Sequence, residues 1–419
     1  MLAPAARPSL KSATCRFCGT ALTRSFANLG VTPPSNAYLR EAELGQPEVF
    51  YPLHAYVCES CLLVQLEEFE TPEQIFSDYA YFSSYSETWL RHAETYAAMA
   101  TKRFGLGQNS RVVEIASNDG YLLQFFAQRG IPVRGIEPAA NVARRAEAVG
   151  VPTMVRFFGR ATARKLVQEW GRADLLIANN VLAHVPNLND FVAAMRIALA
   201  PEGTITVEFP HLMRLIEEAQ FDTIYHEHFS YFSFFVAERI FAAHGLRLFD
   251  VESLPTHGGS LRIYACHADA RREPTQAVLR MRAAERAAGL ETLSVYDGFG
   301  ARVSRIRRDF VRFLIDAKDT GKSVAGYGAA AKGNTLLVTS GVGPDLIDYV
   351  VDANPHKQGL FLPGSHLPIC PPSRLAETQP DYIVILPWNL KAEIMEVAGY
   401  ARAWGAKFVV AVTELAVMP

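Results

Sequence analysis

No run of apolar residues in this 419-residue chain approaches the ~20 needed to cross a bilayer. Its first residues, MLAPAARPSLKSATC, also lack the roughly 7–15-residue apolar core of a secretory signal. Cytoplasmic residence without a membrane partner is therefore expected. Neither sign of charge is in excess, with 41 lysines and arginines against 43 aspartates and glutamates, and the densest basic cluster, SRIRRDFVR, is short and interrupted. That offers no electrostatic footprint for a polyanion, so a nucleic-acid partner is disfavoured. Six cysteines are too few for a disulfide framework in a chain this long. A single core rarely serves such a length, so two or three domains are expected, in a monomer or small homo-oligomer.

Four of the cysteines fall into two tight pairs, CRFCG (Cys15, Cys18) and CESC (Cys58, Cys61), with 39 residues between them. Each C-x-x-C lets two thiolates reach one ion from a tight turn, and two such knuckles complete a closed tetrahedral zinc site. A redox C-x-x-C would need one pair opening a helix. Here the second pair lies in PLHAYVCESCLLVQL, which reads as strand, knuckle, strand. With sulfur in all four positions the metal is structural, because no position remains for substrate.

Beyond the knuckles the pattern becomes βαβ. A helical stretch, SETWLRHAETYAAMATKRF, precedes the apolar strand RVVEIA, the turn SNDG, the helix YLLQFFAQRG and the strand PVRGIEP. This order predicts a parallel sheet covered by helices, continued by ADLLIANNVLAHVPN and GTITVEFPHL. The extended runs FDVESLP and GGSLRIYACH suit a late antiparallel pair. Residues 271–319 are rich in arginine and alanine and read as a helical connector, after which a βαβ pattern restarts in KSVAGYGAAAKGNTLLV and IDYVVDANPHKQG. The expected division is a zinc-binding module over 1–85, a middle α/β domain over 86–270 and a C-terminal Rossmann-like α/β domain over 271–419.

In the middle domain EIASNDG stands where a strand hands over to a helix, the place where open parallel sheets bind ligands. A pyrophosphate fingerprint would read G-x-G-x-x-G. Only Gly120 is present, and Asp119 beside it disfavours an anion, so the loop suits a ligand without phosphate such as S-adenosylmethionine. Glu137 ends the next strand, seventeen residues beyond Gly120, where a carboxylate can accept both ribose hydroxyls. Glu114, Ser117, Asn118 and Pro138 belong to the same constellation, although singly Glu114 reads as a strand residue and Asp119 as a helix cap. Asn179 and Asn180 end the fourth strand, where their amides can bond a methionine part.

The ordered set CRFCG, CESC, EIASNDGYLL, GIEP, NNVLAHVPN, YHEHFSYFS, HGGSLRIY, GYGAAAKGNTLL and VDANPHKQGLFLPG resembles the S-adenosylmethionine-dependent sugar C-methyltransferases of deoxysugar biosynthesis, notably those of tetronitrose synthesis. The resemblance spans nearly the whole chain. It implies a zinc module, a central class I methyltransferase domain and a C-terminal Rossmann-like domain, with a nucleotide-linked 4-keto sugar held between the last two. It also implies that Tyr225, Glu227 and His228 stand near the transferred methyl, together with Tyr79, Asn180 and His184.

Methyl transfer to carbon needs a carbanion, which a sugar carbon beside a C-4' ketone supplies as an enolate. A base with a pKa near the working pH is wanted, and a histidine held by a neighbouring carboxylate satisfies this, so His228 is the expected base. Tyr225 or His184 would donate to the enolate oxygen, with Glu227 orienting its neighbours. The metal reading of the same stretch is weaker, because His226 and His228 share a side only on an extended strand and no H-E-x-x-H spacing exists. His226 reads as structural.

In the C-terminal domain, Gly326 and Gly328 form a G-x-G after a strand, and Asp352 ends the next one. Judged alone, this pattern makes an NAD-dependent oxidoreductase acting on a nucleotide sugar the chief rival. The same loop can cradle a sugar nucleotide's diphosphate, aided by Lys332 as a cation and Asn334 as a donor, with Asn354, Lys357 and Gly364 in the following loop. A non-enzymatic scaffold is the third reading. It leaves a potential base opposite a donor pocket without a purpose.

Overall fold

The computed structural model describes residues 13–72, 83–85 and 87–419. Three sheets organise it. The first is antiparallel, with strands Arg24–Thr32, Tyr51–Val57 and Val64–Leu66 in order, and the knuckle Cys58–Cys61 forms the turn between the last two, as strand, knuckle, strand predicts. Its fourth strand, Ser230–Tyr231, comes from the middle segment of the chain, pairing Val64 with Tyr231 and Gln65 with Ser230. The short stretch that follows the YHEH turn is thus part of the zinc module's sheet.

The second sheet has seven strands, in the spatial order Leu246–Leu254, Ser260–His267, Leu199–Pro210, Ala173–Asn179, Val112–Ile115, Val133–Ile136, Thr153–Met154. The central strand Val112–Ile115 is buried at all four positions, the signature of a parallel strand covered on both faces. Five strands run parallel and the last two in the chain form the expected antiparallel pair. Between Val112–Ile115 and its neighbour Ala173–Asn179 the order of connection reverses, which opens a crevice at the strands' carboxyl ends. The helix Glu87–Phe104 closes one face by burying Ala93, Tyr96, Ala97 and Ala100, spaced at i, i+3, i+4 and i+7.

The connector is helical, as Gln276–Ala287 and Phe299–Asp319, and its second helix stacks Phe299 on Phe26 of the zinc module with ring centroids 4.4 Å apart. The third sheet has six strands, with Val324–Tyr327 paired in parallel to Val350–Val351 on one side and to Tyr382–Ile385 on the other. It too has a switch point, beside the loop Gly328–Ala330 that leads into the helix Ala331–Ser340. The two crevices face each other across one cavity. Among the described residues no helix is long and apolar enough to cross a membrane.

Candidate active site

The cavity between the two crevices measures about 1280 Å³. A pocket for one small molecule usually holds roughly 300–1,000 Å³, so this one has room for two ligands. Its wall includes Asn118, Glu137, Pro138, Asn179 and Asn180 from the middle sheet, His184, Tyr225, Glu227 and His228 from two turns, and Lys332 and Lys357 from the third domain. Tyr79 lies outside the described residues.

The YHEH stretch is a tight turn in which the His228 amide donates to the Tyr225 carbonyl at 2.9 Å. Residues at i and i+3 therefore meet, and the Tyr225 hydroxyl lies 2.9 Å from His228 Nε2. His228 Nδ1 is 2.8 Å from the Thr223 carbonyl, and His184 Nδ1 is 2.8 Å from the Glu227 carbonyl. A carbonyl only accepts, so in each neutral ring the proton sits on Nδ1 and Nε2 carries a lone pair. The two rings stand 4.7 Å apart, edge to face. Burial disfavours their charged forms, bringing His184 down to about 4 and His228 well below the usual imidazole range, the latter further depressed by the proximity of His184.

These contacts correct the expectation of a histidine held by its neighbouring carboxylate and poised near the working pH. Adjacent side chains in so tight a turn diverge. Glu227 Oε1 instead accepts from the Asn36 amide at 2.7 Å, and burial raises Glu227 to about 7. His226 turns the other way, with Nε2 3.1 Å from the Pro52 carbonyl and its ring edge-on to Tyr51 and Phe69. No cluster that could hold a metal ion gathers around His226 and His228 among the described residues.

At the middle crevice the chain turns through left-handed conformations at Ala116, Asn118 and Gly120, with φ of 55°, 49° and 80°. The turn folds back on Glu137, whose two carboxylate oxygens accept the amides of Asn118 at 3.0 Å and Ala139 at 2.9 Å. Each oxygen keeps a further lone pair for a ligand hydroxyl. Asn179 Oδ1 is buried with no partner among the described residues. An acceptor-rich wall without a phosphate-cradling glycine pair fits a cationic donor that carries ribose hydroxyls, as S-adenosylmethionine does.

The rest of that constellation stands behind the wall. Glu114 is buried in the central strand, and burial raises its acid well above the usual range. Ser117 occupies the space over Gly135, where an added Cβ would come within 2.4 Å of Ser117 Oγ, and Asp119 accepts the Ser84 amide at 3.2 Å. Gly120 packs on Val149 and Val151.

On the third domain's side, Gly328 has a φ of 91° and lies so near Pro387 that a Cβ would meet its Cδ at 2.5 Å. Asp352 holds the loop by accepting the amides of Ala329 at 2.7 Å and Asn354 at 2.8 Å, and Lys357 donates to the Ala329 carbonyl at 2.7 Å. Asn334 is buried within the helix packing, away from the wall, and its amide atoms have no side-chain partner among the described residues.

The four cysteines converge as their spacing predicts: their sulfurs lie within 4.8 Å of one another, with Cys15 to Cys61 and Cys18 to Cys58 each 3.5 Å. The donor set is that of a structural zinc site. Gln65 Nε2 supports Cys15 Sγ at 3.2 Å, and Arg16, next to Cys15, donates to the Pro186 carbonyl at 3.0 Å and to the Leu66 carbonyl. The knuckle thereby reaches the cavity wall, where Arg16 is exposed to the pocket.

Several residues of the wall escaped the sequence reading. Asn36 carried no signal at all. His257, within the HGGSLRIY motif, has a left-handed φ of 56°, lies edge-on to Trp89 at 5.3 Å, and has a buried Nδ1 with no partner among the described residues. Behind the wall, Asp222 lies three residues ahead of the YHEH turn, is wholly buried, and accepts the Trp388 indole N–H at 2.8 Å.

Three family models match: a zinc binding domain over residues 15–76, a methyltransferase domain over 89–251 and a C-methyltransferase C-terminal domain over 255–413. The C-methyltransferase NovU of Streptomyces niveus is 35% identical over 400 residues, covering 96% of this chain and 95% of that protein. Among solved structures, magnesium protoporphyrin IX methyltransferase from Synechocystis PCC 6803 with bound SAM aligns at 15% identity and a TM-score of 0.33, covering 42% of this chain and 79% of that one. The PH0226 protein from Pyrococcus horikoshii OT3 aligns at 17% identity and 0.38, covering 48% and 99%.

Proposed function

This chain belongs to the S-adenosylmethionine-dependent C-methyltransferases that carry an N-terminal zinc-binding domain, and we propose that it methylates C-3' of a nucleotide-linked 4-keto-deoxysugar. The rival NAD-dependent oxidoreductase gives way to that membership. The observation that carries the proposal is the meeting of two crevices in one cavity with a pair of neutral imidazoles between them.

S-adenosylmethionine, when bound, supplies an electrophilic methyl on a sulfonium. Glu137 would hold its ribose hydroxyls and Asn179 and Asn180 its methionine part. The sugar nucleotide would lie against the opposite wall, its diphosphate on the helix terminus at Ala331 with Lys357 as the cation. His228 would take the C-3' proton at Nε2, the nitrogen that its hydrogen bond to Thr223 leaves unprotonated, once the Tyr225 hydroxyl that rests on that nitrogen turns away. Positioning does the rest, because an aligned enolate and a sulfonium methyl react without further covalent help from the protein.

A second reading makes Glu227 the base, favoured by its pKa of about 7, nearer the working pH than that of His228. A panel of dTDP-, GDP- and CDP-linked 4-keto sugars identifies the substrate. In deuterated water without methyl donor, NMR then follows the hydrogens on both carbons flanking the ketone. The C-3' hydrogen should exchange with the native enzyme and not with His228→Asn. Exchange that persists in that variant but disappears in Glu227→Gln transfers the role to the glutamate, and exchange only at C-5' overturns the position.

A further inference from the structure

An enolate forming in this cavity needs a donor for its oxygen, and the groups first expected to serve are committed elsewhere. The His184 proton is on Nδ1 and points to the Glu227 carbonyl at 2.8 Å. The Tyr225 hydroxyl donates to His228 Nε2, so it has to leave that nitrogen before the ring can take a proton, and it is not preset toward a ligand oxygen. The charge that develops on a C-4' oxygen is worth far more to catalysis when a preorganised donor faces it than when it is left to water.

Lys332 meets this requirement. It lies in the cavity wall at the start of the helix Ala331–Ser340. Its Nζ is 3.2 Å from Asn389 Oδ1 and 3.4 Å from the His257 carbonyl. An ammonium has three protons, so one remains for a ligand. The group stands over the Trp388 ring, 5.0 Å from its centroid, and Trp388 is itself tied to Asp222. Burial lowers the pKa of Lys332, and the charge of Asp222 offsets part of that effect. The same lysine bears electrostatically on both His228 and His257, which places it on the catalytic side of the cavity. The loop of the third domain has a cation of its own in Lys357, anchored at Ala329.

We propose that Lys332 is a catalytic residue that hydrogen-bonds the sugar's C-4' oxygen and stabilises it as the C-3' proton leaves, and that it does not serve as the cation for the diphosphate. This rests on the enolate reading above. The C-3'–H electron pair becomes the C-3'–C-4' double bond, the carbonyl π pair moves onto oxygen beside Lys332, and the proton passes to the base. On methyl transfer the oxygen's pair re-forms the carbonyl, the carbon–carbon π pair forms the new bond to methyl, and the carbon–sulfur pair stays on sulfur.

The test compares native enzyme with Lys332→Met, using the accepted sugar nucleotide and its free nucleoside diphosphate. The variant should bind the nucleoside diphosphate and S-adenosylhomocysteine as the native enzyme does by calorimetry, while C-3' exchange and methyl transfer at saturating sugar fall by about 10²–10³-fold. Loss of nucleoside diphosphate affinity, with the saturated rate preserved, would overturn the proposal and return Lys332 to the phosphates. Native enzyme that does not exchange C-3' would instead sink the enolate reading itself. If Lys332→Met fails to bind S-adenosylhomocysteine, the same comparison is read from Lys332→Arg, whose charge persists while the geometry of its donors changes.

Discussion

Glu227 and His228 show how one environment drives two neighbours in opposite directions. Burial penalises whichever form is charged, so the carboxyl rises to about 7 while the imidazole falls well below its usual range. The consequence for pH is sharp. If His228 takes the proton, burial keeps its base form complete where Glu227 titrates, and the C-3' exchange rate should stay level as pH rises through about 7. If Glu227 takes it, only the ionised carboxylate is competent, so the rate should climb as pH rises through about 7. We expect the level profile, measured as exchange rate against pH at saturating sugar. The neutral, Nδ1-protonated state of His184 has its own readout: its ring nitrogen NMR shifts should hold that tautomer until pH falls near 4.

The catalytic turn is an element held from both sides. Beyond its C-terminal end, Ser230–Tyr231 joins the zinc module's sheet, and the Phe229 carbonyl accepts the Leu66 amide at 3.0 Å. At its N-terminal end Asp222 is bound by Trp388, and the Ile224 carbonyl lies 3.3 Å from the Thr335 hydroxyl. The turn's geometry therefore depends on the third domain as well as the first. Trp388→Phe keeps an aromatic ring but removes the N–H together with part of the indole's volume, leaving Asp222 Oδ2 buried without that donor. Such a loss costs about 1–3 kcal/mol, to be read from urea unfolding. Turnover should fall more than KM rises, because Trp388 anchors the turn through Asp222 and carries Lys332 over its ring. An unchanged kcat would argue against this positioning role.

At the scale of the whole molecule the zinc site, far from being an appendage, shares structure with the cavity. Arg16 follows directly on Cys15 and spans to Leu66 and Pro186, and Asn36 of the same module holds Glu227. Glu48 ties the module to the third domain by accepting the Gly364 amide at 2.9 Å. Metal analysis should find one zinc per chain, retained until unfolding. Cys58→Ser should lower the melting temperature by at least roughly 5 °C, because metal binding and folding are coupled. Turnover and stability should decline together. A folded, fully active zinc-free protein would refute the assignment.

Much of this architecture was legible in the residues. Cysteine spacing announced the four-sulfur site, alternating strand and helix patterns announced two parallel sheets, and short turns after strands announced the crevices, because each is encoded within a few consecutive residues. The identity of the cavity wall was not. Asn118 and Glu137 reach the cavity while Ser117, Asp119 and Gly120 shape the turn behind it, a distinction made by the direction of single side chains in a left-handed turn. Glu227 was matched with its neighbour His228 in sequence, yet its partner Asn36 is 191 residues away, and Asp222 meets Trp388 across 166. Local chemistry is enough to specify helices, strands and metal knuckles. Which buried charge faces which donor is decided only when three domains close on one cavity, since desolvation and hydrogen bonding there depend on atoms brought together by packing.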